Sequence, residues 1–236
     1  VAAHFIRMAL FFSNPKIVYF VHGYRFHSKT KFFKRILFQI LEIIFSKNTM
    51  KYININNYDY HYTKSILGKK NILVNGVGIK IRSNTNKIKK NNKKLIIGVV
   101  SAYKVEKGYL DLIKLTKSLN REGINFEIRT YGYGNQNFFL KIIKSNNIKN
   151  IIMNKFKHKI INEIKKFDIF IHPSFREGLP VAVMQSLSLG IPVIGRKIRG
   201  NEDLIIHGKN GFLFNKINEV NKMIQNIYNN RNILKK

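Results

Sequence analysis

Short runs of apolar residues recur along this chain, separated by longer segments in which apolar positions return every three to four residues. The first kind predicts strands buried between helix layers, the second amphipathic helices. Over residues 95–236 the pattern predicts a strand at 95–100 (Leu-Ile-Ile-Gly-Val-Val), a helix at 109–120, a strand at 125–130, a helix at 138–146 and an apolar strand run at 148–153. A helix at 157–166, a strand at 167–172, a helix at 181–189 and strands at 193–196 and 212–214 follow. Turns are expected around Gly132 and Gly134, at Gly200 and over 207–211. Strands alternating with helices of this length predict an α/β, doubly wound fold with one parallel sheet covered on both faces.

Upstream the pattern is sparser. Residues 17–21 (Ile-Val-Tyr-Phe-Val) form a buried-strand run ending at His22-Gly23, residues 32–45 a mostly apolar helix, and 52–55 and 72–74 short strands. Residues 82–94 are polar and rich in Lys and Asn, with Ile88 their one apolar residue. That predicts a linker over 83–94 between a domain at 1–82 and another at 95–236. The elements before the linker are too few for a complete doubly wound lobe, so the N-terminal domain is expected to be partial. The helix at 32–45 is shorter than the ~20 apolar residues of a membrane span. Lys34, Arg35, Gln39 and Glu42 interrupt it as well, which suits a buried or interfacial helix.

Composition narrows the partners. With 236 residues, 44% of them hydrophobic, the chain can bury a sizeable core, and zero Cys excludes a disulfide scaffold and a thiolate metal site. The 43 Lys and Arg against 12 Asp and Glu leave a net charge of +31, a field that favours nucleic acid, anionic headgroups or nucleotide diphosphates. The basic residues are scattered among many Asn and Ile, as AT-rich coding would leave them. Residues 1–94 hold 19 basic and two acidic side chains, which suits either a solvated surface or an anionic membrane face.

The candidate chemistry lies after two of the predicted strands. Strand 167–172 runs into Pro173-Ser174-Phe175-Arg176-Glu177-Gly178-Leu179-Pro180 and then a helix that ends at Gly190. Gly178 permits close backbone approach, and Pro180 pre-sets φ for a first helical turn. The amides of that helix start suit phosphate oxygens, and Glu177 can accept hydrogen bonds from sugar hydroxyls. A plain strand–turn–helix with Glu177 near the helix dipole would carry the same residues. Strand 95–100 runs into Ser101-Ala102-Tyr103-Lys104-Val105-Glu106-Lys107-Gly108, where Lys107 stands beside a helix start as a counter-charge for a diphosphate, or as one more solvated Lys. No spacing of His, Asp and Glu typical of a metal site is present.

From Pro173 to Leu213 the chain resembles the retaining group 1 glycosyltransferases of family 4 type with a GT-B fold, above all those of capsule and exopolysaccharide synthesis. The resemblance implies two Rossmann-like doubly wound domains, the N-terminal one incomplete, since it begins mid-domain at Val1. It implies that Glu177 contacts the donor sugar, and that a second Glu, eight positions on, contacts the nucleotide ribose. Gln185 occupies that second position and keeps hydrogen bonding without charge assistance. The family's Gly-Arg and Lys-Gly in the first loop correspond to Ser101-Ala102 and to Lys107-Gly108, so a second cation is missing or comes from Lys104. The His22-Gly23 step matches one that lies near the reacting centre, with Arg25 and His27 as weaker candidates for acceptor phosphate.

The resulting expectation is a glycosyltransferase that moves a sugar, with retention, from a nucleotide diphosphate donor to a polysaccharide or lipid-linked acceptor. Glu177 and His22 are the candidate catalytic residues, and Lys107, Gly108, Glu177, Gly178, Leu179 and Gln185 the candidate donor-binding set. The resemblance implies no cofactor and no essential metal. It implies a cytoplasmic location, with peripheral contact at the inner, anionic membrane face and no nucleic-acid partner. Rival expectations are a donor-binding fragment without catalysis, favoured by Gln185, and a basic nucleic-acid module, favoured by charge alone. A nucleotide-sugar epimerase is made less fitting by the Glu177–Pro180 turn.

Overall fold

The computed structural model describes residues 2–13, 15–26, 30–68, 70–79 and 94–230. Contacts divide the chain into two compact units, Val1–Gly78 with Glu177–Leu179, and Ile79–Arg176 with Pro180–Lys236. The linker expected over 83–94 lies, but for Lys94, outside the described residues, as does His27.

The first unit contains α1 (Ala2–Ala9), β1 (Ile17–Val21), α2 (Phe32–Ser46), β2 (Thr49–Asn54), α3 (Asn57–Tyr62), which continues as a π-turn over Thr63–Leu67, and β3 (Asn71–Leu73). The strands pair in parallel in the order β1-β2-β3. The expected double-sided burial of the first strand is corrected: Val21 is fully buried, whereas Val18 and Phe20, on one face of the strand, are exposed. The apolar helix α2 is likewise not buried. Its buried residues are Glu42, Phe45 and Ser46, while Phe32, Phe33, Leu37 and Ile40 face outward. Burial of Glu42 follows from a charge partner, since the Arg7 guanidinium donates to its Oε2 at 2.7 Å. Arg7 also donates to the Tyr52 hydroxyl at 3.1 Å and lies 4.6 Å above the Tyr19 ring. Breaking such a buried pair leaves an uncompensated charge and costs about 3–5 kcal/mol.

The second unit alternates strand and helix throughout: β4 (Leu95–Val100), α4 (Tyr109–Arg121), β5 (Phe126–Gly132), α5 (Gln136–Ser145), β6 (Ile151–Lys155), α6 (Ile161–Ile164), β7 (Ile169–His172), α7 (Val181–Ser188), β8 (Val193–Arg196), α8 (Asn201–Leu204), β9 (Gly211–Phe214) and α9 (Ile217–Asn229). All six strands are parallel, in the order β6-β5-β4-β7-β8-β9. Strand period two sends alternate side chains to opposite layers. Ile169 and Ile171 join Ile97, Phe126 and the α4, α5 and α9 side chains on one face, while Phe170 joins Phe167, Val183 and Val193 on the other. Both faces are therefore buried, which is why the strands read as continuous apolar runs.

Several boundaries depart from the pattern. The helix expected at 157–166 forms only over Ile161–Ile164. Lys157 instead reaches forward to Glu163 at 2.7 Å. Pro180 takes the N-cap rather than the first helical position, with φ −77° and ψ 114°. Gly132 belongs to β5, and Gly134 bridges to Tyr103. The pattern did not assign α9, although Val220, Ile224 and Ile227 bury at helical spacing. Among the described residues no helix is long and apolar enough to cross a membrane.

Candidate functional site

In the second unit the strand order reverses between β4 and β7, which run outward in opposite directions to β6 and to β9. Loops leaving the carboxyl ends of two such strands diverge and leave a crevice, the usual ligand position in open α/β sheets. The two loops singled out by residue chemistry are the ones that leave β4 and β7.

The loop after β4 is held from beneath. The Tyr103 amide donates to the Tyr133 carbonyl at 2.7 Å, and its buried hydroxyl pairs with Thr130 and donates to the Asn154 carbonyl. The Tyr109 hydroxyl donates to the Ser101 carbonyl at 3.0 Å. Burial pushes both phenols above the ordinary tyrosine value. Val105–Lys107 then form one 3-10 turn, and Gly108, at φ 82° and ψ 18°, reverses the chain into α4. Lys107 is half-buried there and Lys104 exposed.

The loop after β7 begins with buried Pro173 and Ser174. Gly108 packs so closely on it that a Cβ would stand 2.4 Å from the Pro173 carbonyl oxygen. The Phe175 amide donates to the Glu106 carbonyl at 2.9 Å. The turn bearing Lys107 and the segment leading to Glu177 are thus fastened together. Glu177, Gly178 and Leu179 are half-buried, and α7 begins after Pro180 with no side chain capping it. Gln185 lies in the second turn of α7, half-buried. His22 lies at the end of β1 and is exposed. His22 and Gly178 both count in the first unit, where a Cβ at Gly178 would stand 1.6 Å from the His22 carbonyl oxygen.

Three further residues escaped the sequence pattern. His172 Nδ1 lies 3.0 Å from Asn201 Oδ1, and Asn201 Nδ2 donates to the Arg196 carbonyl at 2.8 Å. With its amide nitrogen so committed, Asn201 offers His172 only an acceptor, which places the imidazole proton on Nδ1. Arg196, read in the sequence as a strand end, is buried and has all three guanidinium nitrogens engaged. An Arg closing an apolar strand run was the one available signal. Among the described residues no group of three or more His, Asp or Glu could hold a metal ion.

A parallel sheet in the order 3-2-1-4-5-6 defines an α/β unit of Rossmann type. Residues 80–236 match the family model of glycosyl transferases group 1, and the chain belongs to that family. It is 31% identical over 227 residues to the Staphylococcus aureus protein CapJ, covering 91% of this chain and 54% of CapJ. It is 25% identical over 229 residues to the Escherichia coli UDP-Gal:alpha-D-GlcNAc-diphosphoundecaprenol alpha-1,3-galactosyltransferase, covering 89% of this chain and 58% of that enzyme. The crystal structure of TarM superposes with a TM-score of 0.80 at 18% identity, covering 93% of this chain and 44% of TarM. The fold is accordingly GT-B, and the chain spans little more than half the length of these two relatives.

Proposed function

We propose that this protein transfers a sugar from a nucleotide diphosphate donor to a polysaccharide or lipid-linked glycan, with retention of configuration. One observation carries the proposal: the turn bearing Lys107 and the loop running to Glu177 are fastened to each other at the switch point of the sheet. Negative charge develops on the departing diphosphate, so a fixed cation and fixed amides there stabilise the transition state more than the ground state. In this proposal Lys107 and the amides of Gly178 and Leu179 hold the diphosphate, Glu177 holds the sugar hydroxyls and Gln185 the ribose. His22 acts near the reacting centre, and the reaction uses no metal. The UDP-sugar named for the Escherichia coli relative supports uridine as the first nucleotide to try.

We also propose that the protein works on the cytoplasmic side, against an anionic membrane face. Exposed Phe12, Phe33 and Leu37, in a half of the chain where basic residues far outnumber acidic ones, support that placement. A second reading, donor binding without transfer, is favoured by Gln185 standing where the family carries a carboxylate.

Calorimetry with UDP-, GDP- and ADP-sugars, followed by transfer of radiolabelled sugar to a lipid-linked acceptor, tests both. Binding with transfer supports the enzyme, and binding alone the second reading. Glu177→Ala and Lys107→Ala are each expected to weaken donor binding by roughly tenfold or more, the worth of a charge-assisted hydrogen bond. Unchanged binding in both variants overturns the proposal.

A further inference from the structure

Arg196 is buried at the carboxyl end of β8, and its guanidinium reaches no solvent-borne ligand, with 4% of the side chain exposed. Its Nε donates to the Pro173 carbonyl at 3.0 Å, Nη1 to the Asn215 carbonyl at 3.1 Å and Nη2 to Asp111 Oδ2 at 2.5 Å. The Phe175 ring stacks 4.1 Å from its central carbon, and Phe214 lies 5.0 Å away. These contacts converge on the two loops of the candidate site. Pro173 and Phe175 belong to the loop after β7, and Asp111 to the first turn of α4, three residues beyond Gly108. The carbonyl that Arg196 grips is the one on which Gly108 rests, and Phe175 is the residue whose amide is bound by Glu106.

A guanidinium is planar and always charged, so it can hold three acceptors in fixed directions, whereas an ammonium on a flexible stem cannot. Release of the Pro173 carbonyl would free the close contact with Gly108 and, through Phe175, the tie to the turn containing Lys107. Two other buried ion pairs, Arg7 with Glu42 and Glu163 with Lys157 and Lys166, lie outside both loops.

We propose that Arg196 is a positioning residue for the donor diphosphate: through Pro173, Phe175 and Asp111 it keeps the Lys107 turn and the loop after β7 as one rigid rim. The inference rests on the donor-binding function proposed above. Its signature is selective. Loss of the rim weakens the grip on a second phosphate group and leaves the grip on the rest of the nucleotide.

The test compares the unaltered chain with Arg196→Lys and Asp111→Asn, both mild enough to keep a folded protein should Arg196→Met unfold. Calorimetry measures UDP against UMP, GDP against GMP and ADP against AMP, and hydrogen exchange follows the amides of Lys107, Gly108 and Phe175 with Ile128 of β5 as reference. Arg196→Lys is expected to weaken the preferred diphosphate by about tenfold and its monophosphate by less than about twofold. Exchange should quicken at Phe175 and Gly108 and stay unchanged at Ile128. Asp111→Asn should show the same selectivity at smaller amplitude. If the unaltered chain binds a diphosphate and Arg196→Lys weakens diphosphate and monophosphate alike, or neither, the positioning role falls and the donor-binding function stands. If the unaltered chain binds none of the diphosphates, the proposed function itself falls, and the role of Arg196 with it.

Discussion

Replacing Gly108 by Ala tests the junction of the two loops with a single methyl group. Two penalties arise at this position. At φ 82° a residue with a Cβ sits in the left-handed region, at a cost of about 1 kcal/mol. The new Cβ would also stand 2.4 Å from the Pro173 carbonyl oxygen and 2.8 Å from both its carbonyl carbon and its Cβ. That backbone cannot yield freely, because Arg196 holds the carbonyl at 3.0 Å and Phe175 is bonded to Glu106. Forcing it aside should add roughly 1–3 kcal/mol, as overpacking does elsewhere. Gly123 supplies the control, since it has φ 68° and nothing within 4 Å of a built Cβ. Urea unfolding should therefore show Gly108→Ala destabilised by about 3 kcal/mol and Gly123→Ala by about 1 kcal/mol. The corresponding falls in Tm are about 6–12 °C and 2–4 °C for a unit of this size. If the two variants lose the same stability within about 0.5 kcal/mol, the close contact between the loops carries no energy and the argument for a rigid rim fails.

Two other predictions concern regions away from the rim. Glu163 is held down to about 2 by hydrogen bonds from Lys157 and Lys166 and from the Tyr131 hydroxyl, against an ordinary value of 4.5. Because the folded carboxyl titrates below the unfolded one, its contribution is present above about pH 4.5 and disappears as the pH falls towards 2. Both lysines are about half exposed, so the effect should be no more than about 1 kcal/mol. Comparing denaturant midpoints at pH 7 and pH 3 for the parent and for Lys157→Met measures it, and equal acid losses in the two would count against the pairing. At the first unit, the chain should co-sediment with phosphatidylglycerol vesicles and not with neutral phosphatidylcholine ones, losing affinity as salt rises. Phe33→Ser with Leu37→Ser should reduce that binding, and equal binding to both vesicle types would remove the membrane proposal.

What the chain reveals in one dimension depends on how local the cause is. The runs at 95–100, 167–172 and 193–196 were legible because strands buried on both faces need apolar residues at most successive positions, whatever their neighbours. The Glu177 turn and the Lys107 turn were legible because glycine, proline and charge stand at fixed offsets from those strands. Helix α9 carried a readable spacing at Val220, Ile224 and Ile227 that the intervening Asn and Lys diluted. The α6 region failed in the other direction, because Lys157 takes a partner at Glu163 in place of a helical turn.

The sequence by itself determined the alternation of strand and helix, the parallel sheet and the two loops that carry the candidate chemistry, since each follows from periodicity or backbone preference over a few residues. Tertiary structure alone decided the strand order that puts β4 beside β7, and with it the switch point between their loops. It alone decided that Arg196, 85 positions from Asp111, closes that junction. It also decided that the apolar face of α2 stays exposed while Glu42 is buried. The physical reason is common to these cases: burial, charge compensation and close backbone approach are properties of residues distant in the chain, and no local pattern records which of them will meet.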